Sequence, residues 1–310
     1  MSTFPQEALD AGSATRIAEH CARLFRQALD GRLIAAYALG SLAHGGFAPT
    51  VSDIDLGLVL TDRRHDDDRT IHRVTRDLQE KDGSHQRLSV FWSSLPALRT
   101  NRDDGRFPAV DRLDLKNSGV LLLGEDVRQD VRQPGADTLL TDSVRFALDV
   151  LATGPVLAEF HNPALLANDI RRFTKAVLLP LRFLYTADTA DPGSTDDAIR
   201  HHLAHSSPVA AELVRAATHA RHGQPASAEH LTGLLHAELV PLYVHYIDSC
   251  LHRLTPADSD LSQSLTHWRA RLVDRCTYPP HTDVEGTTSH IRALDTRQAP
   301  HPLHRDPRPR

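Results

Sequence analysis

The hydrophobic pattern of the chain changes near Gly124, and this change limits the fold more than any other feature. Before Gly124, short apolar runs of strand length alternate with segments of helical spacing. After Gly124, apolar positions as far as Cys276 recur only with the period of a helix. The pattern therefore predicts an α/β half followed by an all-helical bundle.

The elements of the first half follow from the same spacing. Segment 40–52 is rich in small residues and is predicted to be a loop, whereas segment 111–123 fits either a strand or a short helix. The remaining segments are predicted to form helices over 15–29 and 66–81 and strands over 33–39, 53–60 and 87–92.

The second half consists of helical runs and a tail. Pro180 lies inside one run and is expected to kink that helix. From Thr277 the chain is rich in proline and histidine, so we expect a disordered tail over 277–310, after a first domain over 1–128 and a bundle domain over 129–276. Helices are predicted over 139–160, 164–186, 196–205, 208–222, 228–254 and 261–276.

Composition excludes several classes of protein. The chain has 310 residues and a formal net charge of -5, which argues against a protein that coats duplex DNA. No apolar run reaches the roughly 18 residues that cross a membrane, and the N-terminus lacks the pattern of a secretory signal. Three widely spaced cysteines are typical of reduced thiols, so a cytoplasmic protein is expected.

The candidate chemistry lies where two predicted strands meet a loop. The first strand ends in Gly40-Ser41, and the next opens about ten residues later with Asp53 and Asp55 on either side of Ile54. Residues two apart on a strand share a face, so the two carboxylates are expected to project together. They form a hard-oxygen site suited to Mg²⁺, while glycine and serine suit close contact with phosphate oxygens. The alternative is an ordinary turn followed by two aspartates that face solvent.

This motif resembles the signature of the polymerase-beta-like nucleotidyltransferase superfamily, which is Gly-Ser followed at a distance by Asp-x-Asp. The layout resembles the antibiotic (aminoglycoside) adenylyltransferases, which join a small mixed sheet to a C-terminal helical bundle. The resemblance implies that Gly40 and Ser41 bind the triphosphate of ATP or another NTP, and that Asp53 and Asp55 are catalytic ligands of Mg²⁺. It also implies attack of an acceptor hydroxyl on the α-phosphate with release of pyrophosphate. Some members of the family build the active site across a homodimer, and the sequence leaves open whether this chain forms one.

One position departs from the family pattern. The family usually carries a third carboxylate on the next strand, as a metal ligand or as the base for the acceptor, and the matching position here is Ser89. Serine cannot replace a carboxylate as a base. Asp114 is our candidate for this catalytic role, and Asp82 and Asp111 are the alternatives.

The helical half and the motif loop offer further candidates. Lys175 and Arg182 are seven residues apart, share a helix face, and are expected to reach the triphosphate, unless they belong to a basic surface stripe. His44 is expected to contact the nucleotide or to be exposed. The family often has a Ser-Lys pair after this helix, whereas residues 194–196 here lack the lysine.

The function that the motif and the resemblance imply is Mg-dependent transfer of a nucleoside monophosphate from NTP to a hydroxyl of a small molecule. AMP is the expected nucleoside monophosphate. An aminoglycoside-like antibiotic is the nearest acceptor that the resemblance implies, and the net charge of -5 is compatible with a cationic acceptor. One alternative is nucleotidylation of a protein or RNA partner that docks on the bundle. Another is a degenerate member that binds nucleotide without transfer, which Ser89 favours.

Overall fold

The computed structural model of the chain describes residues 9–81 and 83–274. Within these residues one mixed sheet of four strands is present, in the order β3-β2-β1-β4. Strand β1 is antiparallel to both of its neighbours, and β2 is parallel to β3. The strands are β1 (Leu33–Leu39), β2 (Ile54–Leu60), β3 (Leu88–Ser94) and β4 (Val120–Gly124).

A helical bundle follows this small mixed sheet, so the predicted fold class is confirmed. The helices that accompany the sheet are α1 (Ala11–Ala28), α2 (Gly40–His44), α3 (Asp67–Lys81), α4 (Leu95–Arg99) and α5 (Ala109–Ser118). The bundle consists of α6 (Ala136–Val150), α7 (Gly154–His161), α8 (Ala164–Ala167), α9 (Ile170–Thr189), α10 (Thr195–Leu203), α11 (Ala211–Arg221), α12 (Ala228–Arg253) and α13 (Ser259–Val273). Short 3₁₀ turns span Gly83–Arg87, Arg128–Asp130 and Pro256–Asp258.

Several predicted boundaries are wrong for local reasons. The predicted loop over 40–52 begins with the short helix α2, which ends at His44 and is capped by Gly45, a residue in the left-handed region with φ +76°. Segment 111–123 holds both alternatives, because α5 ends just before β4 begins. The run over 139–160 divides into α6 and α7 because Pro155 supplies a new helix start. The tail predicted over 277–310 lies outside the described residues.

The two faces of the sheet carry separate cores. Along β2, Ile54, Leu56 and Leu58 are fully buried against α1 and α3. On the other face, Tyr37 and Phe107 belong to a second core that α4 and α5 help to close. The alternation along β2 therefore directs its odd-numbered positions, including Asp55, away from the α1 side.

Helix α9 lies at the centre of the bundle. It packs against α6, α10, α11 and α12, and Phe173 and Val177 on it are fully buried. The Tyr243 hydroxyl on α12 donates a hydrogen bond to the Ala176 carbonyl at 2.9 Å, which fixes α12 against α9. Among the described residues no helix is both long and apolar enough to span a bilayer.

Candidate active site

A cavity of about 980 Å³, partly open to solvent, lies between the sheet and the bundle. Helix α2, the loop after it and the start of β2 form one wall, and helices α6, α9 and α11 and the start of α10 form the other. Of the predicted site residues, Gly40, Ser41, His44, Asp53, Asp55, Lys175 and Arg182 line it. The fold thus brings the motif and the two basic residues of α9 to one cavity, although at least 120 positions (Asp55 to Lys175) separate them.

Gly40 occupies a position that only glycine fits. Its backbone lies in the left-handed region with φ +57°, and a Cβ built on it meets Asp55 Oδ2 at 2.5 Å. Real Cβ atoms essentially never come within 3.0 Å of another heavy atom of this kind. The backbone of the Gly-Ser turn is therefore packed directly against a carboxylate of the candidate metal site.

Asp55 is buried beside Ser89 on the neighbouring strand. It is 7% exposed, and the register of β2 and β3 pairs it with Ser89. Ser89 is also 7% exposed, and its Oγ has no hydrogen-bond partner among the described residues. The side chain next to Asp55 on β3 is therefore a hydroxyl that supplies no negative charge.

Asp53 is held by two cations from the bundle. Its carboxylate forms an ion pair with Arg171, and its Oδ2 lies 2.9 Å from Lys175 Nζ. Burial raises the pKa of Asp53, but the positive charges of Lys175 and Arg171 outweigh this and hold the pKa below its usual value. Asp53 is thus ionised, and Lys175 contacts this carboxylate of the motif directly.

Asp114 is not among the side chains that line the cavity, and its catalytic role stays a prediction. It projects from α5 behind α2 and is only 4% exposed. Its Oδ2 accepts a hydrogen bond from the Gly40 N–H at 2.7 Å, and its Oδ1 lies 2.5 Å from His44 Nε2. Of the two alternatives, Asp111 lines a neighbouring cavity, and Asp82 lies outside the described residues.

The sequence did not single out Arg221, which joins the bundle to the motif loop. Its Nη2 donates a hydrogen bond to the Gly46 carbonyl at 2.5 Å, and its Nε lies 3.8 Å from Asp196 Oδ1. Burial lowers the pKa of Arg221. With 35 basic residues in the chain, nothing in the sequence distinguishes this arginine from the others.

The Ser194 region serves as a helix start beside the cavity. Ser194 caps α10 through a capping box with Asp197, and both Ser194 and Thr195 line the cavity. These hydrogen bonds from Ser194 lower the pKa of Asp197 to about 2. Ser194 and Thr195 therefore fix the edge of the cavity without supplying a cation.

The donor set suits a magnesium ion that shares its ligands with a nucleotide. Among residues 9–81 and 83–274 no group of three or more His, Cys, Asp or Glu side chains is arranged to hold a metal by itself. Mg²⁺ in nucleotide sites commonly takes one or two carboxylates and completes its shell with phosphate oxygens and water. Asp53 and Asp55 meet this requirement, because both line the cavity beside the Gly-Ser turn.

The chain is similar to solved structures only at a distance. No protein-family model and no curated protein matches the chain. A solved structure that is similar is spectinomycin adenyltransferase AAD(9) from Enterococcus faecialis, determined with ATP and spectinomycin. The match has 15% identity and a TM-score of 0.40, and covers 83% of this chain and 98% of the other. Similarity at this level indicates neither the activity nor the ligands of this chain.

Proposed function

We propose that the protein is a Mg-dependent nucleotidyltransferase that transfers a nucleoside monophosphate from NTP to a hydroxyl of a small molecule. AMP is the nucleoside monophosphate that we expect it to transfer. The observation that carries the proposal is the convergence of the Gly40-Ser41 turn, Asp53 and Asp55 with Lys175 and Arg182 on one cavity. Carboxylates for a metal and cations for a polyphosphate are the two charge types that phosphoryl chemistry requires.

The charge of the cavity supports a polyanionic ligand. Three basic side chains, Lys175, Arg182 and Arg221, and two acidic ones, Asp53 and Asp55, line it among the described residues. Positive groups thus exceed negative ones before any metal binds, which favours a triphosphate over a cationic ligand at this point. A cationic acceptor such as an aminoglycoside therefore has to bind elsewhere in the cleft.

The residues of the motif have distinct roles in this proposal. Asp53 and Asp55 hold Mg²⁺, which, when bound, neutralises the charge that develops on the phosphates. Gly40 lets the backbone approach the phosphates, and the Ser41 hydroxyl donates to them. Lys175 and Arg182 bind the triphosphate from the opposite wall of the cavity, where they stabilise negative charge on the leaving pyrophosphate.

A second cavity supports an acceptor site next to the nucleotide. It has a volume of about 630 Å³, part of it open to solvent, and shares Phe146, Leu179 and Arg182 with the first. Most of its wall is apolar, and Asp111 and Asp142 supply carboxylates. An acceptor with an apolar body and a basic group fits this lining, with its hydroxyl directed toward the shared wall.

Ser89 favours a second candidate function. Because the side chain beside Asp55 on β3 is a hydroxyl, the protein could bind Mg-NTP without transferring the nucleotide. The two functions share the nucleotide site and differ only in turnover.

The test measures nucleotide binding and turnover separately. Calorimetry with Mg-ATP should detect binding to the wild type, and chelation of Mg²⁺ should weaken it. Asp55→Asn should weaken Mg-ATP binding by about tenfold or more, since a metal-bound carboxylate contributes more than 1.4 kcal/mol. Asp66→Asn, which changes an exposed aspartate at the start of α3, is the matched control and should bind normally.

Turnover is followed as release of pyrophosphate from ATP with a panel of hydroxyl compounds that includes spectinomycin. Acceptor-dependent release that Asp55→Asn abolishes supports the transferase. Binding of Mg-ATP without release from any acceptor supports the second candidate. A wild type that binds neither ATP nor GTP in the presence of Mg²⁺ refutes both functions.

A further inference from the structure

We propose that His44 is the general base of the reaction and that Asp114 orients it, so that the pair takes the place of the acid missing at Ser89. The inference rests on the proposed nucleotidyl transfer and assigns its proton acceptor. It departs from the sequence-based expectation, in which His44 contacts the nucleotide and Asp114 is itself the catalytic group.

The geometry of the pair is that of an oriented imidazole. His44 lines the cavity, whereas Asp114 lies behind α2 and does not. With Oδ1 2.5 Å from Nε2, the Asp114 carboxylate accepts the Nε2 proton and leaves Nδ1 as the basic nitrogen. In catalytic triads a buried carboxylate fixes the tautomer and orientation of the histidine in the same way.

A second hydrogen bond makes this orientation rigid. The other oxygen of Asp114 accepts the Gly40 N–H at 2.7 Å, so one carboxylate holds both ends of α2. Ser41 and His44 lie three residues apart on this helix and therefore project from neighbouring positions into the same cavity. A triphosphate held by Ser41 would thus lie next to the imidazole.

The reaction needs a base, and no carboxylate occupies the third-acid position. Ser89 is paired with Asp55 in the register of the sheet, and a serine hydroxyl does not accept a proton at neutral pH. The other described carboxylates of the cavity, Asp53 and Asp55, are assigned to the metal. Among the described residues on the motif wall of the cavity, His44 is the remaining side chain that can act as a general base.

In the proposed step, proton transfer to His44 accompanies the exchange of bonds at the α-phosphorus. As the acceptor oxygen forms a bond to the α-phosphorus, its proton passes to Nδ1 of His44. The bond between the α-phosphorus and the bridging oxygen breaks, and pyrophosphate leaves with that electron pair. The imidazolium that results is stabilised by the Asp114 carboxylate, and it returns its proton to water after the products leave.

The charged groups around His44 are compatible with this role. Asp114 faces it from α5, and Asp53 and Asp55 lie on the start of β2 within the same cavity wall. Lys175 and Arg182 face the cavity from α9, and Arg221 faces it from α11. Bound Mg-NTP would engage Asp53, Asp55 and the cations of the bundle, whereas Asp114 would stay with the imidazole.

The experiment compares His44→Gln with the wild type. Glutamine can donate to Asp114 but cannot act as a base, so kcat for pyrophosphate release should fall by about 10²- to 10⁴-fold. The KM for ATP should change by less than about threefold, because the triphosphate contacts are kept. Water alone and spectinomycin serve as acceptors, and His72→Gln, at an exposed position on α3, is the matched control.

Two further measurements separate catalysis from folding. The pH profile of the wild type should have an acidic limb of slope one in log kcat that is absent in His44→Gln. In His44→Ala, added imidazole should restore the rate in a saturable manner, which a purely structural histidine would not allow. Asp114→Asn should lower kcat while the acidic limb persists.

Each contrary result overturns the assignment in a recognisable way. A kcat within twofold of the wild type in His44→Gln shows that His44 is not the base. A raised KM for ATP with unchanged kcat shows a nucleotide contact only. A wild type that binds Mg-ATP but releases no pyrophosphate refutes the base without refuting nucleotide binding, and failure to bind Mg-ATP refutes the proposed function itself.

Discussion

The contact between Gly40 and Asp55 allows a quantitative test of how tightly the motif is packed. In Gly40→Ala, the new Cβ lies 2.5 Å from Asp55 Oδ2, so the carboxylate or the turn must move by about 0.5 Å to reach even 3.0 Å. The residue also keeps a left-handed conformation with φ +57°. Two costs are therefore present, one from the backbone and one from the contact.

Gly31→Ala isolates the backbone cost. Gly31 has φ +74°, and a Cβ built on it meets nothing within 4 Å. A left-handed residue with a Cβ costs about 1–2 kcal/mol, which both variants share. Overpacking against a buried group adds about 1–3 kcal/mol, so Gly40→Ala should lose about 2–5 kcal/mol of unfolding free energy.

The assay is urea denaturation of the wild type and both variants, followed by circular dichroism, with Mg-ATP titration calorimetry on each. We expect Gly31→Ala to bind Mg-ATP as the wild type does, and Gly40→Ala to bind it at least about tenfold more weakly, because Asp55 is displaced. Equal losses of unfolding free energy in the two variants would refute the tight contact. Normal Mg-ATP binding by Gly40→Ala would refute its relevance to the metal site.

Three other predictions concern the surroundings of the site. Arg221→Leu should lower the unfolding free energy by about 1.5–3 kcal/mol in urea denaturation, since a charged hydrogen bond to Gly46 is lost; an unchanged midpoint would contradict this. The pKa of Asp197 is lowered from 3.8 to about 2, so its stabilisation is complete above about pH 4 and disappears as the pH falls toward 2. In Asp197→Asn the melting temperature should fall less steeply over that range than in the wild type. Burial lowers the pKa of His202 below 6.5, so the unfolded chain binds the proton first and stability falls as the pH decreases through about 6.5. His202→Gln should lose less stability than the wild type between pH 7 and pH 5, and identical profiles would contradict this assignment.

The main elements of the sheet half were predictable because local pattern determines them. The strand over 33–39 is apolar, short and bounded by glycines, and it agrees with β1 in both boundaries. Alternation at Asp53, Ile54 and Asp55 correctly places the isoleucine in one core and directs Asp55 to the other face. Such one-dimensional signals need no knowledge of distant residues.

The contacts that organise the cavity were not predictable, because they join distant parts of the chain. Asp114 and Gly40 are separated by 74 positions, and Arg221 and Gly46 by 175. No local pattern indicates which of many aspartates or arginines makes such a contact. The direction of the Asp114 side chain, which is not part of the cavity lining, depends on how α5 packs against α2.

The ion pairs that Asp53 forms with the helical half would compete with the proposed metal ion for the same carboxylate. Arg171 and Lys175 pair with the same carboxylate that the proposed Mg²⁺ would need, so ion pairing and metal binding would weaken each other by the same free energy. A triphosphate in the cavity would offer Lys175, which lines it, a different anionic partner and would thereby weaken the hold of Lys175 on Asp53. Nucleotide and metal are consequently expected to bind with positive cooperativity. The direct contact between α9 and the motif would then be replaced by a contact through the bound nucleotide.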